Sequence, residues 1–104
     1  MPEWVRVADE GDCGSEGCVH KAVGGVEPIV LVRTGDEIFA LEDRCSHEDY
    51  PLSDGEMENG QLECVYHGAR FDVRTGKPTR LPAVRPVRTF PVEIRDGGVF
   101  VRID

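Results

Sequence analysis

The sequence has few of the features of a membrane protein or a nucleic-acid-binding protein. Its longest uninterrupted aliphatic run is residues 29–32, whereas a membrane-spanning helix needs about 20 apolar residues. It also has no excess of basic residues, because 12 Lys and Arg against 20 Asp and Glu give a net charge of −8. That sign is wrong for binding phosphates by counterion release. We therefore expect no membrane partner and no nucleic-acid partner.

The first residues lack the basic patch, the apolar stretch and the cleavage site of a secretory signal. A cytoplasmic protein is therefore expected. The chain has four cysteines, which are Cys13, Cys18, Cys45 and Cys64. In a reducing compartment they indicate metal or redox chemistry rather than two disulfides.

Helical periodicity is absent as well, because no apolar pattern with a helical period continues over ten residues. Short alternating runs separated by turn residues predict an all-β fold. The strongest hairpin signal is Asn59-Gly60, since both residues tolerate a positive φ. Strands over 87–95 and 99–103 predict a closing hairpin. No linker divides the chain, so residues 1–104 are expected to form a single domain with one core.

Two similar loops carry the candidate ligands. Cys45 and His47 lie in the first loop and Cys64 and His67 in the second, with 16 residues between His47 and Cys64. Each loop offers one thiolate and one imidazole, so two loops that meet can supply four ligands to one metal centre. A structural zinc is one interpretation, although zinc sites usually pair the two cysteines in one knuckle. One cysteine and one histidine per loop also suit a two-iron cluster, whose cysteines bind one iron and whose histidines bind the other.

With these residues the sequence resembles the Rieske ferredoxins over almost its whole length. The matching motifs are residues 45–47, 64–68, 71–72, 75–76 and 81–83. The resemblance implies a Rieske fold, an antiparallel β-sandwich with a small cluster-binding subdomain of two ligand loops. It implies one [2Fe–2S] cluster per chain, with Cys45, His47, Cys64 and His67 as its ligands and Pro82 on a third loop that covers it. Gly55 and Gly68 would leave room for backbone to approach the site.

High-potential Rieske proteins have a serine and a tyrosine two and four residues beyond the second histidine, and both hydroxyls donate hydrogen bonds to the cluster. Ala69 and Phe71 occupy those places here. The ligand loops also lack the extra cysteines that form a disulfide in those proteins. The sequence is therefore similar to the low-potential carriers that serve Rieske-type oxygenases.

The resemblance implies a soluble one-electron carrier that is not itself an enzyme. As a monomer it would pass electrons from an NAD(P)H-dependent flavoprotein reductase to a terminal Rieske oxygenase of an aromatic-ring dioxygenase system. An oxygenase subunit would also need a mononuclear iron site with two histidines and a carboxylate, and only His20 is unassigned. The alternatives are a small Rieske-like subunit of a nitrite reductase and a zinc-stabilised interaction module. Cys13 and Cys18 match only the opening of a plant-type cluster motif and are interpreted as free thiols.

The charges are divided unevenly along the chain. Residues 1–63 contain 16 acids and 4 bases, whereas residues 64–104 contain 4 acids and 8 bases. Four acids close to the predicted histidine ligands are candidates for docking a basic partner surface: Glu48, Asp49, Asp54 and Glu56.

Overall fold

The computed structural model describes residues 3–22, 28–45, 50–65, 68–81 and 85–103. Within these ranges the protein has eleven strands and two short 3-10 helices, Glu10–Cys13 and Leu52–Asp54. The strands are β1 (Glu3–Asp9), β2 (Val19–Ala22), β3 (Ile29–Thr34), β4 (Glu37–Glu42), β5 (Glu56–Glu58), β6 (Gln61–Glu63), β7 (Arg70–Asp72), β8 (Pro78–Arg80), β9 (Thr89–Phe90), β10 (Val92–Arg95) and β11 (Gly98–Ile103). The prediction of an all-β fold is confirmed. No helix in the described ranges is long and apolar enough to cross a membrane.

The strands form three antiparallel sheets, with the orders β1-β11-β10, β2-β3-β4-β9 and β5-β6-β7-β8. The third sheet is an insertion, because β4 and β9 are neighbours in space although β5 to β8 separate them in sequence. Where the chain leaves and returns, the Glu42 amide donates to the Arg88 carbonyl at 2.9 Å. The Arg88 amide in turn donates to Oε1 of Glu42 at 2.8 Å. The two ends of the segment that forms the inserted sheet therefore meet at one place on the second sheet, β2-β3-β4-β9, which we call the middle sheet.

Strand β3 contributes side chains to two separate cores, one on each face of the middle sheet. Val30 and Val32 pack into the first core, whereas Ile29 and Leu31 pack into the second. The first core consists of Val30, Val32, Leu41, Cys45, Leu52, Leu62, Cys64, Ala69, Phe71, Val73 and Val87. The second consists of Val7, Cys13, Ile29, Leu31, Ile38, Ala40, Phe90, Val99 and Val101. The expectation of one core is wrong, because successive strand side chains point to opposite faces and both faces of β3 are covered.

The turns follow the local chemistry of their residues. Asn59 and Gly60 have φ values of 51° and 76° between β5 and β6, which confirms the predicted hairpin. The predicted strand over 87–95 is instead two strands in different sheets, β9 paired with β4 and β10 paired with β11. The break falls at Pro91, which has no N–H to donate to a ladder.

Candidate metal centre

The two cysteines of the predicted ligand set lie together in the first core. Cys45 follows β4 and is 2% exposed, and Cys64 directly follows β6 and is 1% exposed. Neither takes part in a disulfide. His47 and His67, the other two predicted ligands, lie outside the described residues, as does Pro82. The same holds for two of the predicted docking acids, Glu48 and Asp49. The structure therefore places two of the four predicted ligands in one buried cluster.

The two ligand loops are closed by matching hydrogen bonds. The amide of Cys45 donates to the carbonyl of Tyr50 at 2.8 Å, and that of Cys64 donates to the carbonyl of Ala69 at 2.7 Å. In both loops the acceptor lies five residues after the cysteine, so the predicted histidine falls between donor and acceptor in sequence. The similarity that the sequence shows between the loops thus extends to their backbone hydrogen bonding.

A buried carboxylate clamps the ends of the first loop. Asp43 is 6% exposed and accepts two hydrogen bonds from Ser53, one from its amide at 2.6 Å and one from its hydroxyl at 2.7 Å. The amide of Asp43 donates to the Pro28 carbonyl at 2.9 Å, which fixes this end of the loop to the start of β3. A buried charge is costly unless it is hydrogen-bonded, and these contacts satisfy it. The sequence analysis missed this pair, although short polar residues on both sides of a loop were the available signal.

The second loop begins and ends on a cross-strand ion pair. Glu63 and Arg70 are partners in the β6–β7 ladder, and a guanidinium nitrogen of Arg70 lies 2.8 Å from Oε2 of Glu63. Arg70 Nε donates to the same oxygen at 2.9 Å. Because both residues are partly buried, the pair is better shielded from solvent than an exposed one and helps to hold the base of the loop.

Glycine at position 55 lets the segment after the first loop approach β6. A Cβ at Gly55 would lie 1.9 Å from the carbonyl oxygen of Glu63, so no other residue fits without a backbone shift. The close approach is to the strand that precedes Cys64, whereas an approach of backbone to the metal site itself stays a prediction. Gly68 has another role, because its φ of 71° is the left-handed conformation that favours glycine.

The segment around Val87 is held to the β7–β8 turn by a close backbone contact. The amide of Val87 donates to the Gly76 carbonyl at 2.9 Å. A Cβ at Gly76 would lie 2.2 Å from the Val87 carbonyl oxygen, and the φ of Gly76 is 77°. Glycine therefore positions the chain that follows the proline loop.

The surroundings of the cysteines suit a bound metal cluster. Ala69 and Phe71 are fully buried in the same core as Cys45 and Cys64. Two cysteine sulfurs in one apolar core can bind a metal cation, whose charge compensates that of the thiolates it coordinates. Cysteine sulfur is also the ligand that iron–sulfur clusters use. The donor set described here therefore fits the cysteine half of a two-iron site.

Comparison with known proteins decides the class of this site. The model of the Rieske [2Fe-2S] domain matches residues 3–91. The chain belongs to the Rieske [2Fe–2S] family. It is 46% identical over 100 residues to the ferredoxin component of biphenyl 2,3-dioxygenase from Rhodococcus jostii, covering 96% of this chain and 92% of that one.

Solved Rieske structures agree with the sequence match. The ferredoxin of Sphingomonas yanoikuyae B1 superposes with a TM-score of 0.91 at 25% identity, covering 98% of this chain and all of that one. A chain from the complex of reduced oxygenase and oxidized ferredoxin in carbazole 1,9a-dioxygenase gives a TM-score of 0.86 at 35% identity, covering 94% and 91%. The predictions of a Rieske fold, a [2Fe–2S] cluster and an electron carrier that is not an enzyme are confirmed. The Rieske match also decides against the zinc interpretation.

Proposed function

We propose that Cys45, His47, Cys64 and His67 hold the [2Fe–2S] cluster, the cysteines on one iron and the histidines on the other. The observation that carries this assignment is the burial of Cys45 and Cys64 in one core, each at the start of a loop closed in the same way. The cluster supplies a one-electron acceptor that is uncharged when oxidised, because two thiolates and two neutral imidazoles balance its irons and sulfides. The protein's part is to exclude water from the cysteine side and to fix both loops.

We propose further that the carrier takes electrons from an NAD(P)H-dependent flavoprotein reductase and delivers them to a terminal Rieske oxygenase of an aromatic-ring dioxygenase system. Two relatives support this role. One is the ferredoxin component of a biphenyl dioxygenase, and the other was solved in complex with the oxygenase of a carbazole dioxygenase. The low-potential interpretation of the sequence agrees, because the buried side chains of Ala69 and Phe71 offer no hydroxyl in the core that holds the cysteines.

The working state in this proposal is a cytoplasmic monomer in which residues 1–104 form one Rieske domain. A family match over residues 3–91 supports the single domain. The four cysteines, all within the described ranges, form no disulfide, which suits a reducing compartment.

The ligand assignment is tested by metal analysis and spectroscopy of the purified protein. Two irons and two acid-labile sulfides per chain are expected, with the electron paramagnetic resonance signal of a reduced Rieske centre. Cys45→Ser, His47→Ala, Cys64→Ser and His67→Ala should each abolish that signal. His20→Ala is the matched control and should retain it. One zinc without sulfide, or a Rieske signal that survives a ligand substitution, would overturn the assignment.

The proposed partners are tested separately by stopped-flow kinetics. The reduced carrier should be reoxidised by a terminal aromatic-ring oxygenase, and the oxidised carrier should be reduced by a flavoprotein reductase with NAD(P)H. Copurification with a nitrite reductase, and no electron exchange with dioxygenase components, would favour the nitrite reductase alternative.

A further inference from the structure

A second pair of cysteines lies in the other core, away from the ligand loops. Cys13 ends the first 3-10 helix and is fully buried in the second core, while Cys18 is partly exposed just before β2 and packs against that core. The Cys13 sulfur lies 3.6 Å from the carbonyl oxygen of Cys18. The Cys18 sulfur lies 3.6 Å from the carbonyl oxygen of Asp12. Each thiol therefore rests against the backbone of the segment that carries the other.

The two thiols differ in their access to solution chemistry. Burial, together with a hydrogen bond to the Cys18 side chain, raises the pKa of Cys13 to about 12. Cys13 is therefore a thiol at neutral pH, in direct contact with Cys18. Cys18 is the more exposed sulfur, so it is the one that a dissolved oxidant reaches first.

The backbone around the pair is fixed by contacts with the end of β3. Arg33 donates a side-chain hydrogen bond from Nε to the Cys13 carbonyl, and its amide donates to the Cys18 carbonyl at 3.1 Å. The Gly17 amide donates back to the Arg33 carbonyl at 3.0 Å. The loop between the cysteines is thus held at both ends, and the sulfurs stay close without help from the metal centre.

We propose that Cys13 and Cys18 are a site of reversible oxidation that closes an intramolecular disulfide with hydrogen peroxide. The Cys18 thiolate attacks one peroxide oxygen, the O–O bond breaks, hydroxide leaves, and Cys18 becomes a sulfenic acid. The Cys13 sulfur then attacks the Cys18 sulfur, the S–O bond breaks, and water leaves with the Cys13 proton. In total, two thiols and one peroxide give one disulfide and two waters. A dithiol reductant reverses the reaction by thiol–disulfide exchange.

This oxidation is separate from the proposed function, because Cys13 lies in the second core and the cysteine ligands Cys45 and Cys64 lie in the first. The disulfide would join the 3-10 helix after β1 to the start of β2. It would also take up oxidising equivalents without consuming a cluster ligand.

The test uses the holoprotein treated with a small excess of hydrogen peroxide while its visible spectrum is recorded. The intact mass should fall by two hydrogens, and peptide mapping after alkylation should find Cys13 linked to Cys18. Dithiothreitol should restore both alkylatable thiols. In the Cys13→Ser variant the sulfenic acid formed at Cys18 should instead be captured by dimedone. The intact mass of the Cys18→Ser variant should not fall by two hydrogens after peroxide treatment.

Oxidised glutathione serves as a second oxidant, so that the test of the disulfide does not depend on damage to the cluster by hydrogen peroxide. Oxidised glutathione should form a mixed disulfide at Cys18, which Cys13 resolves to the same internal link with release of a second glutathione. Two thiols that remain alkylatable after both treatments would overturn the proposal. Disulfides formed between two chains would also overturn it, as would a sulfinic acid at Cys18 in place of the Cys13–Cys18 disulfide.

Discussion

Replacing Asp43 tests how firmly the first ligand loop is fixed. In Asp43→Ala the two hydrogen bonds from Ser53, at 2.6 and 2.7 Å, lose their acceptor. Hydrogen bonds to a charged group contribute about 1.5–3 kcal/mol each, so we expect a loss of about 3 kcal/mol in the free energy of unfolding. For a chain of this size that corresponds to a fall of about 12–24 °C in melting temperature. Release of the loop should also speed the loss of the cluster.

Thermal scans of the holoprotein at one fixed rate measure the first effect, and bleaching of visible absorption in the presence of a chelator measures the second. Ser53→Ala removes only the hydroxyl donor and keeps the amide, so it should cost about 1.5 kcal/mol. Asp72→Ala is the matched control, because Asp72 at the end of β7 accepts an amide hydrogen bond at 2.8 Å from Arg74 in the turn that follows. If Asp43→Ala and Asp72→Ala have the same melting temperature and the same bleaching rate, the hydrogen bonds between Asp43 and Ser53 do not hold the first ligand loop.

Three further predictions concern the potential, the packing and the docking of the carrier. Its midpoint potential should lie near the lower end of the Rieske range of about −150 to +300 mV, and Ala69→Ser with Phe71→Tyr should raise it in a spectroelectrochemical titration. An unchanged potential with an intact cluster would show that the new hydroxyls do not reach the sulfurs. Gly55→Ala should lower both the melting temperature and the iron content, because its Cβ would lie 1.9 Å from the Glu63 carbonyl oxygen of β6. A wild-type iron content would contradict this prediction. The double variant Asp54→Asn with Glu56→Gln should exchange electrons with a partner more slowly than the wild type at low ionic strength, while its midpoint potential stays unchanged. Stopped-flow rates equal to those of the wild type would exclude these acids from docking.

Features that depend on neighbouring residues could be predicted from the sequence. The turns at Asn59-Gly60 and Asp96-Gly97 have positive φ values at all four residues, which is a local preference of these residue types. The Cys/His pattern of the two loops indicated a metal centre for a similar reason, because metal chemistry restricts both residue type and spacing. Its two cysteines lie in one core, and the assignment of all four ligands stays a prediction.

Features that depend on contacts between distant segments could not be predicted. The apolar run in β3 shows that the strand is buried but not that its two faces belong to different cores, since that depends on which sheets cover them. Asp43 and Ser53 are ordinary polar residues until the loop between them folds back. The strands β7 and β8 have three residues each, too few to show a period of two.

The meeting of Glu42 and Arg88 at the base of the inserted sheet gives the molecule two parts that can open separately. The backbone pairing of β1 with β11 and of β3 with β4 involves none of the described residues between 43 and 87, so the paired amides keep their partners when the inserted sheet opens. Local unfolding of this kind exposes one face of β3 and leaves the second core intact. Release of iron and sulfide can therefore leave a framework with slow amide exchange, on which the inserted sheet can re-form when the cluster is rebuilt.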